Sequence, residues 1–273
     1  MTAVGDMVAI GLTTCVGGQQ RSNHVTMTTS EFVPGRSVEA GSVVRSSGEV
    51  AALGEAAARL IGSVGVVQQV RAGSVIWRDS EQRTALWIVR QGVLATVVDM
   101  TGERRSLLGF HYPGDIVLGA AGASCGSSVV AITRTELKAL PLEQAAKALM
   151  GDAVATSALV GAIERRVSRL RVHCATLARL TGEERLATFL VEVAVHLGRQ
   201  MTDRIDVTLP VGREDIADYL GLNADTVSRI FSRLRREDVI AFDGRSNLHI
   251  LEWGRLRAMS PFGAALADMQ AAG

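Results

Sequence analysis

The chain has 273 residues, of which 47% are hydrophobic, and this is enough for two domains with separate cores. Its formal net charge is +1, which excludes a protein that attracts its partners through a large total charge. The three cysteines, Cys15, Cys125 and Cys174, are widely separated and form neither a CxxC pair nor a disulfide framework. We therefore expect the protein in a reducing compartment, the cytoplasm.

The first 50 residues are rich in Ser, Thr, Val and Gly and lack a sustained hydrophobic period, which predicts a flexible extension. Asp6 lies within the first apolar run and no basic region precedes it, so the pattern does not predict a signal peptide. A short helix is expected over Glu55–Ile61. The uncharged stretch 116–133 approaches the length of a membrane span, but it is rich in Gly and Ser, so we expect no membrane partner.

Between Val66 and Pro141 the pattern changes to short strands separated by turns. The strand segments read SVIW, ALWIVRQGVLATVVDM, RRSLLGFHYPGDIVLG and SSVVAITRTELKALP, with turn signals at Gly92, 101–102 and 113–115. This alternation predicts an antiparallel barrel or jelly roll.

Glycines in this region can expose backbone amides to an anion, which makes a candidate effector pocket. The pocket residues are Gly119, Gly122, Gly126 and Ser127. The alternative is a loop without ligand chemistry, and we favour it. His111 and Cys125 are conceivable haem or redox contacts, but a lone His and a lone Cys are more often structural, so we predict no cofactor.

A long helix is predicted after this region, and its apolar stripe alternates three- and four-residue steps. The stripe consists of Val160, Ile163, Val167, Leu170, Cys174 and Leu177. Such a heptad seam, flanked by charged residues, predicts a homodimer. The alternative is a helix that packs only on its own domain. In a dimer Cys174 would face its twin, and from this position alone we hypothesise that thiol oxidation alters the dimer; an unchanged peroxide response of Cys174→Ser would exclude this.

The segment 182–198, GEERLATFLVEVAVHLG, predicts an amphipathic helix with Thr181 as its cap. The acidic pair Glu183-Glu184 is explained by the preference for negative charge at a helix N-terminus. The sequence contains no Walker loop, HExxH, GxSxG or Rossmann fingerprint, so we predict that the protein is not an enzyme. The expected core of this helix is Leu186, Phe189, Leu190, Val193 and Leu197.

The stretch 213–236 predicts two short helices joined by a turn at Gly221. The first helix carries an apolar stripe of Ile216, Ala217 and Leu220, and Asn223 is the expected N-cap of the second. The second helix has a predicted buried face of Val227, Ile230, Phe231 and Leu234. Its opposite face carries Asp225, Ser228, Arg229, Ser232, Arg233 and Arg236.

Such a helix pair is typical of DNA-binding proteins, in which the early residues of the second helix meet base edges in the major groove. The alternative is an ordinary helical hairpin with an arginine-rich solvated face. The segment that follows, VIAFDGRSNLHIL at 239–251, has two apolar runs around Asp-Gly, which predicts a β-hairpin. A helix-turn-helix followed by a hairpin predicts a winged helix and a double-stranded DNA partner.

The chain resembles the bacterial regulators typified by the cyclic AMP receptor protein and the fumarate and nitrate reduction regulator, over roughly 66–251. The motifs that carry the resemblance are GEERLATFL at 182–190, LPVGREDIADYLGL at 209–222 and DTVSR at 225–229. In the oxygen-regulator branch the base-reading motif is usually Glu, two spacers, Ser and Arg. The resemblance implies base reading by Asp225, Ser228 and Arg229 and a TTGAT-like half-site, although Asp225 is one methylene shorter than the usual Glu.

The resemblance also implies phosphate contacts by Arg213, Asn223 and Thr226, and RNA polymerase as a partner. In the family, cyclic AMP binding relies on a glutamate and an arginine in the cassette after the 112–115 turn, and the segment 118–132 has neither. The oxygen regulator holds its iron–sulfur cluster on four cysteines, more than this chain has. We expect neither mechanism; the alternative function is a small-molecule or haem/NO-type sensor whose DNA binding depends on a ligand in the barrel.

The expected fold class is α+β, with an N-terminal cyclic-nucleotide-binding-like jelly roll, a long dimerisation helix and a C-terminal winged helix-turn-helix. The expected segments are the extension 1–50, effector domain 51–150, dimerisation helix 151–179, DNA-binding domain 180–255 and C-terminal tail 256–273.

Overall fold

The computed structural model describes residues 65–80, 84–100, 104–119 and 126–271. The extension 1–50, the predicted helix Glu55–Ile61, Gly122 and two of the three cysteines lie outside these ranges. Among the described residues, no helix is both long and apolar enough to cross a membrane.

The N-terminal part is a jelly roll of two antiparallel sheets, as the strand pattern predicts. Its sheets have the strand orders β1-β8-β3-β6 and β2-β7-β4-β5. Trp77, Trp87, Leu94 and Leu137 are buried between them. The strands are β1 Val66–Val70, β2 Val75–Arg78, β3 Ala85–Gln91, β4 Leu94–Met100, β5 Arg104–His111, β6 Ile116–Gly119, β7 Ser127–Ala131 and β8 Thr135–Pro141.

Two helices follow the jelly roll, α1 Leu142–Leu149 and α2 Ala153–Arg179. Asp152 caps α2, because its side chain accepts a hydrogen bond of 2.8 Å from the backbone N–H of Ala155. The predicted apolar stripe lies on the outside of α2, where Val160 is 60%, Ile163 46% and Leu170 53% exposed. The long helix is therefore confirmed, and its apolar face is uncovered in the single chain.

The C-terminal part begins with α3 Gly182–Leu197, whose predicted cap Thr181 forms a capping box with Glu184. The helix pair and the hairpin are also present, and the hairpin joins a four-stranded sheet of order β11-β12-β10-β9. The remaining elements are β9 Arg199–Gln200, β10 Ile205–Thr208, α4 Arg213–Leu220, α5 Ala224–Arg236, β11 Ile240–Asp243, β12 Asn247–Ile250, α6 Trp253–Ala258 and α7 Gly263–Ala271.

The segment named a C-terminal tail is helical and packed. Leu256 of α6 and Leu266 of α7 are 0% and 2% exposed and share a hydrophobic core with Leu186 and Leu190 of α3. The hydroxyls of Ser260 and Thr188 are also hydrogen-bonded at 2.8 Å, both buried. The packed C-terminal unit therefore continues beyond residue 255, because these helices cover one side of α3.

Candidate DNA-binding interface

The turn between α4 and α5 has the geometry that the sequence predicts. Gly221 has φ +60°, a left-handed backbone conformation that residues other than glycine rarely adopt. Leu222 N–H then donates to Ala217 O at 2.9 Å, which closes the end of α4. Asn223 caps α5, since its Oδ1 accepts a hydrogen bond of 2.6 Å from Thr226 N–H.

The two faces of α5 differ sharply. Val227, Ile230, Phe231 and Leu234 are buried and hold α5 against α3, α4 and the hairpin. The exposed residues of the first two turns are those predicted to read bases, Asp225, Ser228 and Arg229. With the described residues, Asp225 and Arg229 form no ion pair, so their charged groups remain available to an outside partner.

Arg233 is not available in this way, although the sequence places it on the free face. Its guanidinium forms an ion pair with Glu183 in the first turn of α3. Arg235 and Arg236 are exposed at the end of the helix. The positive surface of α5 therefore comes from Arg229, Arg235 and Arg236, and Arg233 instead joins α5 to α3.

Arg213, predicted to contact phosphate, lies against aromatic rings. Its guanidinium carbon is 3.5 Å from the ring centroid of Phe231 and 4.8 Å from that of Phe242. Burial lowers the pKa of Arg213. Arg213 therefore joins α4, α5 and the hairpin strand β11, a packing role that the sequence pattern did not reveal.

The hairpin β11–β12 turns at Gly244, which has φ +73°. Arg245 beside it is exposed at the tip. The hairpin packs beside α5 through the edge-to-face contact of Phe231 with Phe242, whose centroids are 5.4 Å apart. This is the wing expected from the sequence.

A buried acid connects the C-terminal part to the jelly roll. Glu192 of α3 is 8% exposed and accepts hydrogen bonds from two tyrosine hydroxyls. These are Tyr112 after β5, at 3.1 Å, and Tyr219 of α4, at 3.2 Å. Burial raises the pKa of the Glu192 carboxyl, and burial together with Glu192 raises the pKa of both tyrosines. Asp218 of α4 adds a further link by accepting 2.7 Å from Leu107 N–H of β5.

The inner face of α2 contributes polar residues to the same contact region. Arg169 forms a 2.6 Å ion pair with Asp115 and donates to His196 Nε2 at 2.9 Å. His173 stacks on the Tyr219 ring, with centroids 4.1 Å apart and planes inclined by 6°. Burial lowers the pKa of His173 to about 4, and burial followed by the charge of Arg169 lowers the pKa of His196 to about 4. Both imidazoles are therefore neutral at pH 7.

His111, a conceivable haem contact, is fully buried in a hydrogen-bonded group. Arg166 Nη1 donates to His111 Nδ1 at 2.5 Å, so the ring proton is on Nε2, which donates to Thr96 Oγ1 at 2.8 Å. Burial, followed by the charges of Arg166 and Arg169, holds the pKa of His111 well below its usual value. Both ring nitrogens are thus occupied by protein groups, which explains this histidine structurally.

Three of the predicted effector-pocket residues, Gly119, Gly126 and Ser127, lie within the described chain. Ser127 donates to the Asp79 carboxylate from its backbone N–H at 2.8 Å and from its hydroxyl at 3.3 Å. At Gly119 a Cβ would lie 2.7 Å from the Trp87 ring. Gly126 O accepts from the backbone N–H of Asp99 at 3.2 Å. Among the described pocket residues, the donors of Ser127 are therefore used within the protein.

A jelly roll, a long helix and a winged helix-turn-helix with an exposed polar face on its second helix define a DNA-binding transcription regulator. Two family models match the chain, a Crp-like helix-turn-helix domain over residues 184–259 and a cyclic nucleotide-binding domain over residues 67–152. The chain belongs to the CRP/FNR family of transcription regulators.

Relatives in this family support the assignment. The transcriptional activatory protein AadR of Rhodopseudomonas palustris is 31% identical over 186 residues, which are 64% of this chain and 74% of that protein. The nitrogen fixation regulation protein FixK of Bradyrhizobium diazoefficiens is 29% identical over 222 residues, 80% of this chain and 91% of FixK. The solved structure of FixK2 from Bradyrhizobium japonicum has a TM-score of 0.65 at 27% identity, covering 72% of this chain and 98% of FixK2.

Proposed function

We propose that the chain regulates transcription as a homodimer on a palindromic TTGAT-like DNA site. The observation that carries this proposal is the open face of the first two turns of α5, where Asp225, Ser228 and Arg229 are exposed beside a fully packed opposite face. A rigid helix with free polar groups at its N-terminal end suits insertion into the major groove.

Each of the three reading residues has a distinct chemical role. The Arg229 guanidinium donates two hydrogen bonds to O6 and N7 of one guanine. The Ser228 hydroxyl is free to donate to or accept from a neighbouring base. The Asp225 carboxylate accepts from cytosine N4, and its short side chain requires a close approach of α5 to the groove floor.

The phosphate contacts come from residues around the start of α5. Asn223 uses Oδ1 for its cap and keeps its NH₂ group for a phosphate oxygen. The Thr226 hydroxyl is available in the same turn. The Arg213 guanidinium lies against the rings of Phe231 and Phe242, so its contact with DNA depends on the packing of the wing.

Dimerisation follows from the exposed stripe of α2. Two of the three a positions are valine and two of the three d positions are leucine, a combination that favours two parallel helices. The a positions are Val160, Val167 and Cys174, and the d positions are Ile163, Leu170 and Leu177. A two-fold axis along this seam brings two recognition helices onto half-sites about one DNA turn apart. The operator is then a palindrome.

The regulator acts without cyclic AMP and without an iron–sulfur cluster. The segment 118–132 lacks the glutamate and arginine of the nucleotide site, and the whole chain has three cysteines. The use of Ser127 by Asp79 removes a further anion-binding group. We assign residues 51–150 to the effector domain, 151–179 to the dimerisation helix and 180–271 to the DNA-binding domain, and we place the protein in the cytoplasm with RNA polymerase as a partner.

A second candidate function is ligand-dependent DNA binding, and one cavity favours it. A cavity of about 450 Å³ opens beside β1, β3 and β8, lined by apolar groups such as Val70, Ile76, Ala85 and Trp87. This volume suits a small apolar molecule. Native mass spectrometry and an absorption spectrum of the purified protein distinguish the two functions. A bound molecule or a haem band whose removal abolishes DNA binding supports the second candidate.

The test of the first proposal is binding of the ligand-free protein to a TTGAT-N4-ATCAA duplex and to a scrambled duplex of equal composition. Fluorescence anisotropy at one fixed salt concentration measures both affinities, since salt alters the phosphate contribution to each. We expect tight and selective binding to the palindrome. Equal affinities contradict the proposed half-site, and selection from a random pool then separates an altered half-site from the need for an effector.

A further inference from the structure

Arg185, in the first turn of α3, binds the ends of two other helices at once. Its Nε donates to Leu180 O and its Nη2 to Leu177 O, both at 2.9 Å, where α2 ends. Its Nη1 donates to Leu220 O at 2.9 Å and to Gly221 O at 3.5 Å, where α4 ends. One guanidinium therefore joins the end of α2 to the turn between α4 and α5.

The chemistry of these four acceptors explains why an arginine lies here. Carbonyls in the last turn of a helix have no partner within the helix, and the aligned peptide dipoles give each helix end a partial negative charge. Arginine presents five donors in a planar fork, whereas lysine has one compact ammonium group. The contact therefore depends on the shape of the guanidinium as well as on its charge.

The backbone does not maintain the angle between α2 and α3 by itself. Leu180 and Thr181 between them are both extended, with ψ 149° and 161°. At the other end of the contact, Gly221 has φ +60°, a conformation that favours glycine, and its carbonyl oxygen accepts from Arg185 Nη1 at 3.5 Å. A side-chain link thus replaces the missing helical hydrogen bonds across this hinge.

A second set of contacts holds α4 farther along its length. His173 of α2 stacks on Tyr219 of α4, and Asp218 of α4 accepts a hydrogen bond from Leu107 of the jelly roll. Arg185 adds a contact at the helix ends. Contacts at two separated points determine the angle between α2 and α4, whereas a contact at one point determines only where the two helices meet.

We propose that Arg185 is the positioning residue that determines which spacing between half-sites the dimer accepts. The proposal rests on the homodimer and the palindromic site proposed above. Because α5 follows α4 through the turn at Gly221, the angle between α2 and α4 sets the direction of each recognition helix relative to the dimer axis. Arg185 makes no base contact in this role and acts through that angle.

The experiment measures affinity for duplexes that carry two TTGAT-like half-sites with spacers of three, four, five and six base pairs, and for a duplex with a single half-site. The proteins are wild type, Arg185→Ala, Arg185→Lys and the control Arg179→Ala. Arg179 is exposed at the end of α2 and has no ion pair with the described residues, so its loss removes one positive charge near the hinge without removing the link.

We expect wild type and Arg179→Ala to prefer one spacer. In Arg185→Ala, which loses all four hydrogen bonds, the ratio of affinities between the best and the other spacers falls by about tenfold or more. Single half-site affinity stays within about threefold, because the reading face is intact. Arg185→Lys, which keeps the charge and reaches one helix end, shows a smaller fall.

Three results overturn the inference, and the third also overturns the proposed palindromic dimer. One is an unchanged spacer ratio in Arg185→Ala while wild type prefers one spacer. The second is an equal loss of affinity for single and paired half-sites in both Arg185 variants. That result would mean that Arg185 only stabilises the fold of the DNA-binding domain. If wild type itself shows no spacer preference but binds one half-site selectively, the proposed palindromic dimer is wrong, and the inference is wrong with it.

Discussion

The two long faces of α2 reverse the usual distribution of side chains. The outward face is apolar yet exposed, with Val160 60% and Leu170 53% accessible. The inward face is polar yet largely covered, and the Arg169 side chain is 14% exposed beside Asp115. Exposed apolar groups and buried charged groups are both unfavourable, so each requires a physical explanation.

The reasons are different kinds of partner. The outward stripe has no complement within the described chain and suits a second copy, because burial of apolar area is non-directional and strong. The inward residues pair within the chain, and their directional contacts connect α2 to the jelly roll and to the DNA-binding domain. We infer that the outer face provides assembly and the inner face provides domain orientation.

The same contrast occurs on a smaller scale in α5. Arg229 is exposed and has no ion pair with the described residues, whereas Arg233, one turn later, is paired with Glu183. The residue that we propose to contact DNA is therefore left open, and the residue that holds α5 against α3 is used internally. Five tests of this division between open and internally used groups follow, in decreasing order of expected effect.

The strongest test introduces a charge into the outward stripe. Leu170→Asp removes apolar burial from both subunits and places two like charges at the seam, so we expect the dimer to weaken by about 4 kcal/mol or roughly a thousandfold. Sedimentation equilibrium measures the change. Ser168→Asp adds the same charge off the seam and should leave the dimer nearly intact. An equal effect of both variants would contradict the seam.

The second test removes the buried acid from the inner contact. Glu192→Ala leaves the hydroxyls of Tyr112 and Tyr219 without their acceptor, so we expect a loss of about 3 kcal/mol in the free energy of unfolding. Denaturant titration followed by circular dichroism measures it. Replacing Tyr219 by Phe in the Glu192→Ala background should cost less than in wild type, because the orphaned hydroxyl is removed. Additive losses would show that Glu192 and Tyr219 are not coupled.

The third test compares two arginines on one helix. Arg229→Ala should relax discrimination at one base pair by roughly 1–3 kcal/mol, with little effect on stability. Arg233→Ala should lower stability by about 1 kcal/mol by removing the Glu183 pair, and should leave base preference unchanged. Affinities for single-base variants of the half-site measure discrimination. Equal losses of Arg229→Ala on specific and random DNA would remove its base-reading role.

The Arg213→Ala variant should combine the two effects expected of the other arginine variants, on DNA binding and on stability. We expect evenly weaker binding to all sequences, as for a phosphate contact, together with a loss of about 1 kcal/mol in stability from its contacts with Phe231 and Phe242. A thermal unfolding curve recorded beside each binding curve separates the two effects. Weaker binding with unchanged stability would show that the aromatic contacts contribute nothing measurable.

The structural features that the sequence predicted are those determined by residues close together in the chain. The heptad stripe of α2, the Asn223 cap and the turn at Gly221 each follow from residues a few positions apart. The strands of the jelly roll are delimited by turn residues in the same way. Local periodicity and backbone preference were sufficient in all these cases.

The internal polar contacts depend on residues far apart in the chain, which local patterns do not reveal. Glu192 and Tyr112 are 80 positions apart, and Asp79 and Ser127 are 48 positions apart. One signal was nevertheless available. Glu192 lies between the core residues Phe189 and Val193 on the apolar side of its helix, and a charge at such a position indicates a buried partner.

The smallest expected effect concerns the pH dependence of the inner contact. Burial lowers the pKa of His173 to about 4, whereas an unfolded histidine titrates near 6.5. Between these values the unfolded chain binds the proton first, so stability is complete above about pH 6.5 and decreases as the pH falls toward 4. The raised pKa of Glu192 acts in the opposite direction, because it favours proton uptake by the folded protein.

His173→Phe keeps a ring against Tyr219 and removes one titrating group, so it isolates the histidine contribution. We expect the variant to lose at most about 1 kcal/mol less stability than wild type between pH 7 and pH 4.5, because solvent around the partly exposed His173 weakens the effect of its charge. Denaturant titrations across this range measure the difference, and Glu192 is common to both proteins. Parallel stability curves would mean that His173 titrates normally and that the inner face of α2 tolerates its charge.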